Sequence, residues 1–379
     1  MSLLFYSFLA KLAYMLKFGR ILRLIGFSMM VLACGKVDEP SREIVFGSAF
    51  ETDVRASELT TENMSSFGVF ATLEEDGKSF TDAEATLDPF MDNVPVTKNG
   101  SVWSANPKHY WPLLANKKLS FFAYAPHNAS SPEIDPAADW DNKNVKIDYK
   151  VHSNPLSQVD LCVAKAVLDK DSHLDMDKPV ELEFSHTLTW VNFAANYIGD
   201  VPEGCFLRIE ELELQNVLDE NVLVHSHATG EDFFSWSDFP DGAQKDGKYL
   251  LSLNNASLGN MEIVKKDPSA ASPEYTDFVS ARGYLYLLPQ RVNTPEDGVR
   301  TEMKVTFAFV KNDENRTVIA QFYTTKELPE SEWNVASKVK YCFTIDVNNV
   351  SLINIAPIAQ KWIEDWTESG NTHTDQEIR

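Results

Sequence analysis

The chain has 379 residues, 44% hydrophobic and 24% charged. That suits a folded protein of about two domains and excludes a disordered chain or a polytopic membrane protein. The formal net charge is -22; the first 34 residues hold Lys11, Lys17, Arg20 and Arg23 and no acid, so the rest carries -26. A body that acidic repels phosphate backbones, which excludes nucleic acid as a partner.

At the N-terminus, Lys17, Arg20 and Arg23 precede Leu24 to Ala33, ten uncharged residues in which Ser28 is polar. A basic region followed by an apolar run too short to span a bilayer reads as a signal peptide. Val31-Leu32-Ala33-Cys34 resembles the lipobox of bacterial lipoproteins, in which the cysteine becomes the lipidated first residue. The expectation is a signal peptide over 1–33, lipidation at Cys34, and a tether over 34–42. Translation from Met15 would give a signal of ordinary length. The competing reading is a membrane helix starting near Leu3, which Lys11, Lys17, Arg20 and Arg23 interrupt. Each buried methylene contributes about 0.8 kcal/mol, so several acyl chains on one cysteine would anchor the chain in the outer membrane.

Beyond Cys34 the chain reads as strands. "FGVFATL" (67–73), "LSFFAYA" (119–125), "VELEFSH" (180–186) and "TWVNFAANY" (189–197) are short, aromatic and β-branched. From Glu302 to Val310, Met303, Val305, Phe307 and Phe309 fall on one face, with Glu302, Lys304 and Thr306 on the other. "KNDEN" (311–315) then turns the chain into a second run, Thr317 to Tyr323. From Lys338 to Val347 the pattern repeats, with Val339, Tyr341, Phe343, Ile345 and Val347 on one face and Lys340, Thr344 and Asp346 on the other. Asp76-Gly77, Asn99-Gly100, Asp241-Gly242 and Asp246-Gly247 read as tight turns, because such pairs tolerate positive φ. No long segment carries a helical stripe. The pattern predicts an all-β protein built of β-sandwiches. The polar stretch 166–179 marks a seam, which predicts domains over 43–176 and 177–368 and a polar tail over 369–379.

Chemical sites are sparse. His225 and His227 share a face in an extended chain, with Glu231 and Asp232 following; the pattern suits a metal, yet His-Ser-His is common in polar loops. Asp169, Asp171, Asp175 and Asp177 lack the glycine of a calcium loop and read as a solvated linker. His186 lies in an apolar strand with no nucleophile or orienting acid locatable, and reads as a hydrogen-bonded core histidine. No catalytic residue, metal or cofactor is expected. Cys162, Cys205 and Cys342 are far apart; one pair could join in an oxidising compartment, but buried free thiols are the plainer reading. Trp103, beside the Asn99-Gly100 turn, is the one aromatic singled out as a sugar-stacking candidate. It supports an alternative function, a monomeric surface glycan-binding lipoprotein.

"HYWPLLANKKLSFFAYAP" (109–126) resembles a signature of the fimbrillin-like (Mfa-like) proteins of Bacteroides-type bacteria. "EIVFGSAFETDVRA" (43–56), "QVDLCVAKA" (158–166), "FSHTLTWVNF" (184–193), "LYLLPQ" (285–290) and the stretch from Trp333 to Trp366 are similar in the same order. The resemblance implies two tandem transthyretin-like β-sandwich domains and a fimbrial or adhesin subunit exported as a lipoprotein, not an enzyme. It implies cleavage after an arginine, here Arg55, and removal of the first strand, Glu43 to Phe50. Ile44, Val45, Phe46, Ala49 and Phe50 would be the apolar plug of that strand. Arg42 is a poorer cleavage point, since a cut there leaves the strand in place. Implied partners are other fimbrial subunits joined by strand exchange, the outer membrane, and a host or bacterial surface ligand. Asp38 and Glu39 resemble the acidic surface-export signals of such lipoproteins. The polar ending after Trp366, "TESGNTHTDQEIR", holds no further apolar strand to donate, which suits a tip, anchor or accessory subunit unless the 338–366 region itself swings out as the donor.

Overall fold

The computed structural model describes residues 42–50, 64–75, 88–100, 102–112, 117–127, 134–141, 144–169, 178–226, 233–240, 242–253, 262–278 and 284–361. The chain divides into two compact units, Met1–Glu43 with Tyr110–Leu113, and Ile44–His109 with Leu114–Arg379. In the first, Glu43 bridges Tyr110, and the Trp111 N–H donates to the Arg42 carbonyl at 2.8 Å. The second holds all the strands among the described residues.

Nine strands precede or immediately follow the expected seam: β1 (Val45–Phe50), β2 (Ser66–Glu75), β3 (Asp88–Asn99), β4 (Val102–Ala105), β5 (Lys117–Ala125), β6 (Ile134–Asp139), β7 (Asn144–Lys150), β8 (Cys162–Asp169) and β9 (Val180–His186). Next come β10 (Thr189–Ile198), β11 (Cys205–Val217), β12 (Glu220–Ser226), β13 (Phe234–Trp236), β14 (Gly247–Ser252), β15 (Val264–Lys265) and β16 (Thr276–Asp277). The last are β17 (Tyr284–Leu287), β18 (Gln290–Val292), β19 (Glu302–Lys311), β20 (Val318–Glu327), β21 (Ser331–Trp333), β22 (Ser337–Asp346) and β23 (Ser351–Lys361). The all-β reading therefore holds among the described residues, and no described helix is long and apolar enough to cross a membrane.

The first sheet differs from the open layers of the expected sandwich. Its hydrogen bonds run β1-β4-β3-β2-β5-β8-β9 and return to β1, a closed barrel. Closure depends on β1, which lies antiparallel to β4 and parallel to β9. A six-stranded sheet centres on β10, which runs parallel to β22 over ten residue pairs; β23 follows β22 at the edge. A third sheet is ordered β14-β11-β19-β20, and a fourth β13-β12-β7-β6. The seam at 176/177 lies outside the described residues. Strand pairing runs across it both ways: β9 joins the barrel, and β7 pairs with β12 from Glu220↔Lys150 to Ser226↔Asn144.

Burial explains the sequence runs. β2 and β5 are apolar on both faces because both faces are covered. Phe67 and Phe121 meet the Phe46 ring, while Phe70, Phe122 and Tyr124 join the large core shared with β10, β11, β19 and β22. β19 buries Met303, Val305 and Phe307 as its alternation predicts, and also buries Ala308 and Val310 against Phe206 on the reverse face. β22 buries Val339, Tyr341, Phe343 and Ile345, but Lys338, Cys342 and Thr344 are buried too. The one-faced expectation fails there because the second face is also covered and its polar groups are accommodated: Lys338 Nζ sits 4.7 Å from the Trp190 ring centre, and Lys340 pairs with Asp277.

The turn pairs divide. Gly100 and Gly242 adopt positive φ, as expected. Gly247 does not; it opens β14, where a Cβ would lie 2.7 Å from the Val217 carbonyl oxygen. Close backbone approach, not turn geometry, is the reason for that glycine.

Candidate functional site

The first strand is the feature on which the functional expectation turns. Alternation points Ile44 and Phe46 inward, 0% and 1% exposed, and leaves Val45 half-buried on the other side. Val45 therefore faces the side opposite Ile44 and Phe46. Phe46 is held by aromatic rings from two strands, edge-to-face with Phe67 at 5.9 Å and with Phe121 at 5.7 Å. Phe67 in turn meets Phe184 of β9 at 5.4 Å and Trp103 of β4 at 5.2 Å. Burying a side chain such as Phe or Ile contributes about 1.5–3 kcal/mol.

The backbone of β1 carries the rest of the seat. It pairs with β9 from Phe46↔Val180 to Phe50↔Phe184, and with β4 at Val45↔Ser104 and Phe46↔Trp103. The Ile44 N–H donates to the His109 carbonyl at 2.8 Å. On the outer side, Glu181 lies across Gly47, where a Cβ would come within 2.2 Å of its carboxylate. One position fits poorly: Ser48 Oγ is buried with no hydrogen-bond partner among the described residues. Lifting β1 out would open the barrel and strip ladder partners from β4 and β9 together. Cys34, Arg55, Asp38 and Glu39 lie outside the described residues.

Trp103 does not present a face to solvent. It is 3% exposed, packed on Phe67, with Lys98 Nζ 5.4 Å from its ring centre. A sugar could not stack there without opening the barrel. β4 faces Trp103 inward because Phe46 of β1 pairs with it, a neighbour that local sequence does not reveal.

His186 has the acid and thiol that sequence reasoning could not locate. Its Nδ1 lies 2.8 Å from Asp160 Oδ2 and 3.3 Å from Cys162 Sγ, and the three residues are 7%, 5% and 0% exposed. β8 and β9 bring them together, since Cys162 and His186 are register partners. Asp160 was missed; its one signal is the Asp-x-Cys spacing, which puts both side chains on one side of an extended chain. The arrangement is not a nucleophile–base–acid relay. Such a relay uses the two ring nitrogens separately, whereas both neighbours here meet Nδ1.

His225 sits in a strand, not a polar loop. It is 1% exposed, with Nε2 3.0 Å from the Ala164 carbonyl oxygen and its ring 4.4 Å from Phe122. His227, Glu231 and Asp232 lie outside the described residues, as do Asp171, Asp175 and Asp177; Asp169 ends β8. Cys162, Cys205 and Cys342 are all free thiols.

Residues 54–366 match the sequence model of the fimbrillin-like family. The chain is 23% identical over 347 residues to fimbrium subunit Fim1C of Phocaeicola vulgatus, covering 86% of this chain and 89% of that one. A crystal structure of a fimbrial protein from Bacteroides vulgatus superposes with a TM-score of 0.59 at 19% identity, covering 84% of this chain and 99% of that one. The two share a fold.

Proposed function

The chain belongs to the fimbrillin-like family, and from that premise we propose that it is a fimbrial or adhesin subunit joined to its neighbours by exchange of β1. Like other members of such a family, it is a structural subunit and not an enzyme. In this reading it travels to the outer membrane as a lipoprotein on Cys34 and works in a cell-surface appendage. Cleavage after Arg55 frees the segment from Glu43 to Phe50. The transthyretin-like unit that takes part is the barrel of β1–β5, β8 and β9.

One observation carries the proposal: β1, the first strand of the chain among the described residues, completes the barrel ring, and both of its edges are hydrogen-bonded to other strands. Losing it would leave β4 and β9 with unpaired backbone along an apolar trough. Each buried amide left unpaired costs on the order of 1–3 kcal/mol. A donor strand from another subunit would repair all of them at once, which makes such joints tight. The poor fit of Ser48 favours exchange, because a donor with an apolar residue there would seat better than β1 itself.

The test is proteolytic. The purified chain is treated with an arginine-specific protease, and the new N-terminus at Ala56 is verified. Denaturing gels run without boiling should then show a ladder of oligomers, and Arg55→Ala should remove it. A chain that stays monomeric after a verified cut, alone and mixed with candidate partner subunits, would overturn strand exchange.

A further inference from the structure

We propose that Asp160, Cys162 and His186 form a binding site for a borderline divalent cation of the zinc type. The three side chains offer oxygen, sulfur and nitrogen, and their ligand atoms all lie within 4.8 Å of one another. Zinc takes this donor set in small tetrahedral sites, at about 2.0–2.3 Å from each atom. The imidazole can bind metals through Nδ1 or Nε2, and Nδ1 is the atom both neighbours face. The Asp160 carbonyl oxygen, 3.9 Å from Cys162 Sγ, offers a fourth donor.

The supports are rigid. Cys162 opens β8 and His186 ends β9, opposite each other in the ladder. The next residue, Thr187, is tied back to the Leu161 carbonyl by its N–H at 3.0 Å and its hydroxyl at 2.7 Å. Its own carbonyl accepts from Trp236 Nε1 at 2.8 Å. These bonds hold the open end of the β8–β9 pair, where the ligands sit, so that little ordering remains when a cation enters.

The charges balance. The cation displaces the thiol proton of Cys162 to solvent, and the hydrogen between Nδ1 and Oδ2 leaves Nδ1, passing to Nε2 when the imidazole starts neutral and to solvent when it starts as imidazolium. Thiolate and carboxylate then neutralise its two positive charges, and the imidazole is neutral. A buried carboxylate beside a histidine thereby gains a partner that the dry interior favours. The bound cation would pin β8 to β9, the edge against which β1 lies.

The test uses the purified full chain, reduced and with any affinity tag removed. Cobalt(II) is added to the native protein and, separately, during refolding, so that a closed entrance cannot hide the site. The expected result is one cobalt per chain with a thiolate-to-metal charge-transfer band, displaced by zinc. X-ray absorption should show one sulfur per cobalt. Cys162→Ser, checked by circular dichroism, should lose the band, and Asp160→Asn should weaken binding by about tenfold or more. Absence of the band in folded wild type under both protocols would overturn the site. So would a band that persists in folded Cys162→Ser, or cobalt with no sulfur neighbour.

Discussion

The rings of Phe46 and Phe121 meet edge to face, 5.7 Å between centres and 87° between planes. Phe46 comes from the strand that closes the barrel and Phe121 from the middle of its sheet, so this contact measures how firmly the closing strand is seated. Phe46→Ala should lower stability by about 3–5 kcal/mol, since it leaves a cavity among Phe67 and Phe121 as well as losing transfer energy. Urea unfolding of the uncleaved chain checks it. A loss under 1 kcal/mol would mean that β1 is not packed as described.

Ser48→Ala should move stability the other way. It removes a buried hydroxyl with no hydrogen-bond partner among the described residues, so the uncleaved chain should gain about 1 kcal/mol. Release of the cut strand should slow correspondingly, read by the rate at which a labelled competitor peptide enters the barrel.

Gly68→Ala should be among the costlier single-methyl additions in the protein. Gly68 pairs with Tyr124 across β2 and β5, and a Cβ would sit 2.2 Å from the tyrosine ring. That ring is buried and its hydroxyl donates to Asn93 Oδ1 at 2.7 Å, so it has little freedom to retreat. The expected loss is about 1–3 kcal/mol. A double-mutant cycle with Tyr124→Leu should recover much of it, whereas additive losses would place the strain elsewhere.

Alkaline pH should weaken the fold through Cys342. Burial pushes its thiol up from an ordinary 9.0 to about 11. The folded state therefore holds this proton more tightly than the unfolded chain does. The resulting stability is fully present below pH 9 and is lost as pH rises toward 11. The expected loss is about 3 kcal/mol at most, and Cys342→Ala should flatten that part of the curve. At pH 8 a thiol reagent should modify half-buried Cys205 before Cys342. A stability curve unchanged by Cys342→Ala would overturn the assignment.

Much of the strand content was legible. The stretches 67–73, 119–125, 180–186, 189–197 and 302–310 all fall in strands, because alternation is a local property of the chain. The double-faced burial of β22 was not, since Lys338 and Thr344 look like solvent-facing residues until Trp190 and Asp277 are placed beside their face. Gly247 was misread for a similar reason: the carbonyl of Val217 that it approaches is thirty residues earlier. Trp103 was legible as an aromatic near a turn, but which way it points depends on β1.

Residue order by itself determined an acidic, all-β chain of fimbrillin-like character, with an apolar first strand beginning near Ile44. The tertiary structure alone decided that this strand lies beside β9, more than a hundred residues away, and that Asp160, Cys162 and His186 converge. The physical reason is range. A two-residue period says which side chains share a face, but the choice of neighbouring strand depends on packing and loop closure across the whole chain.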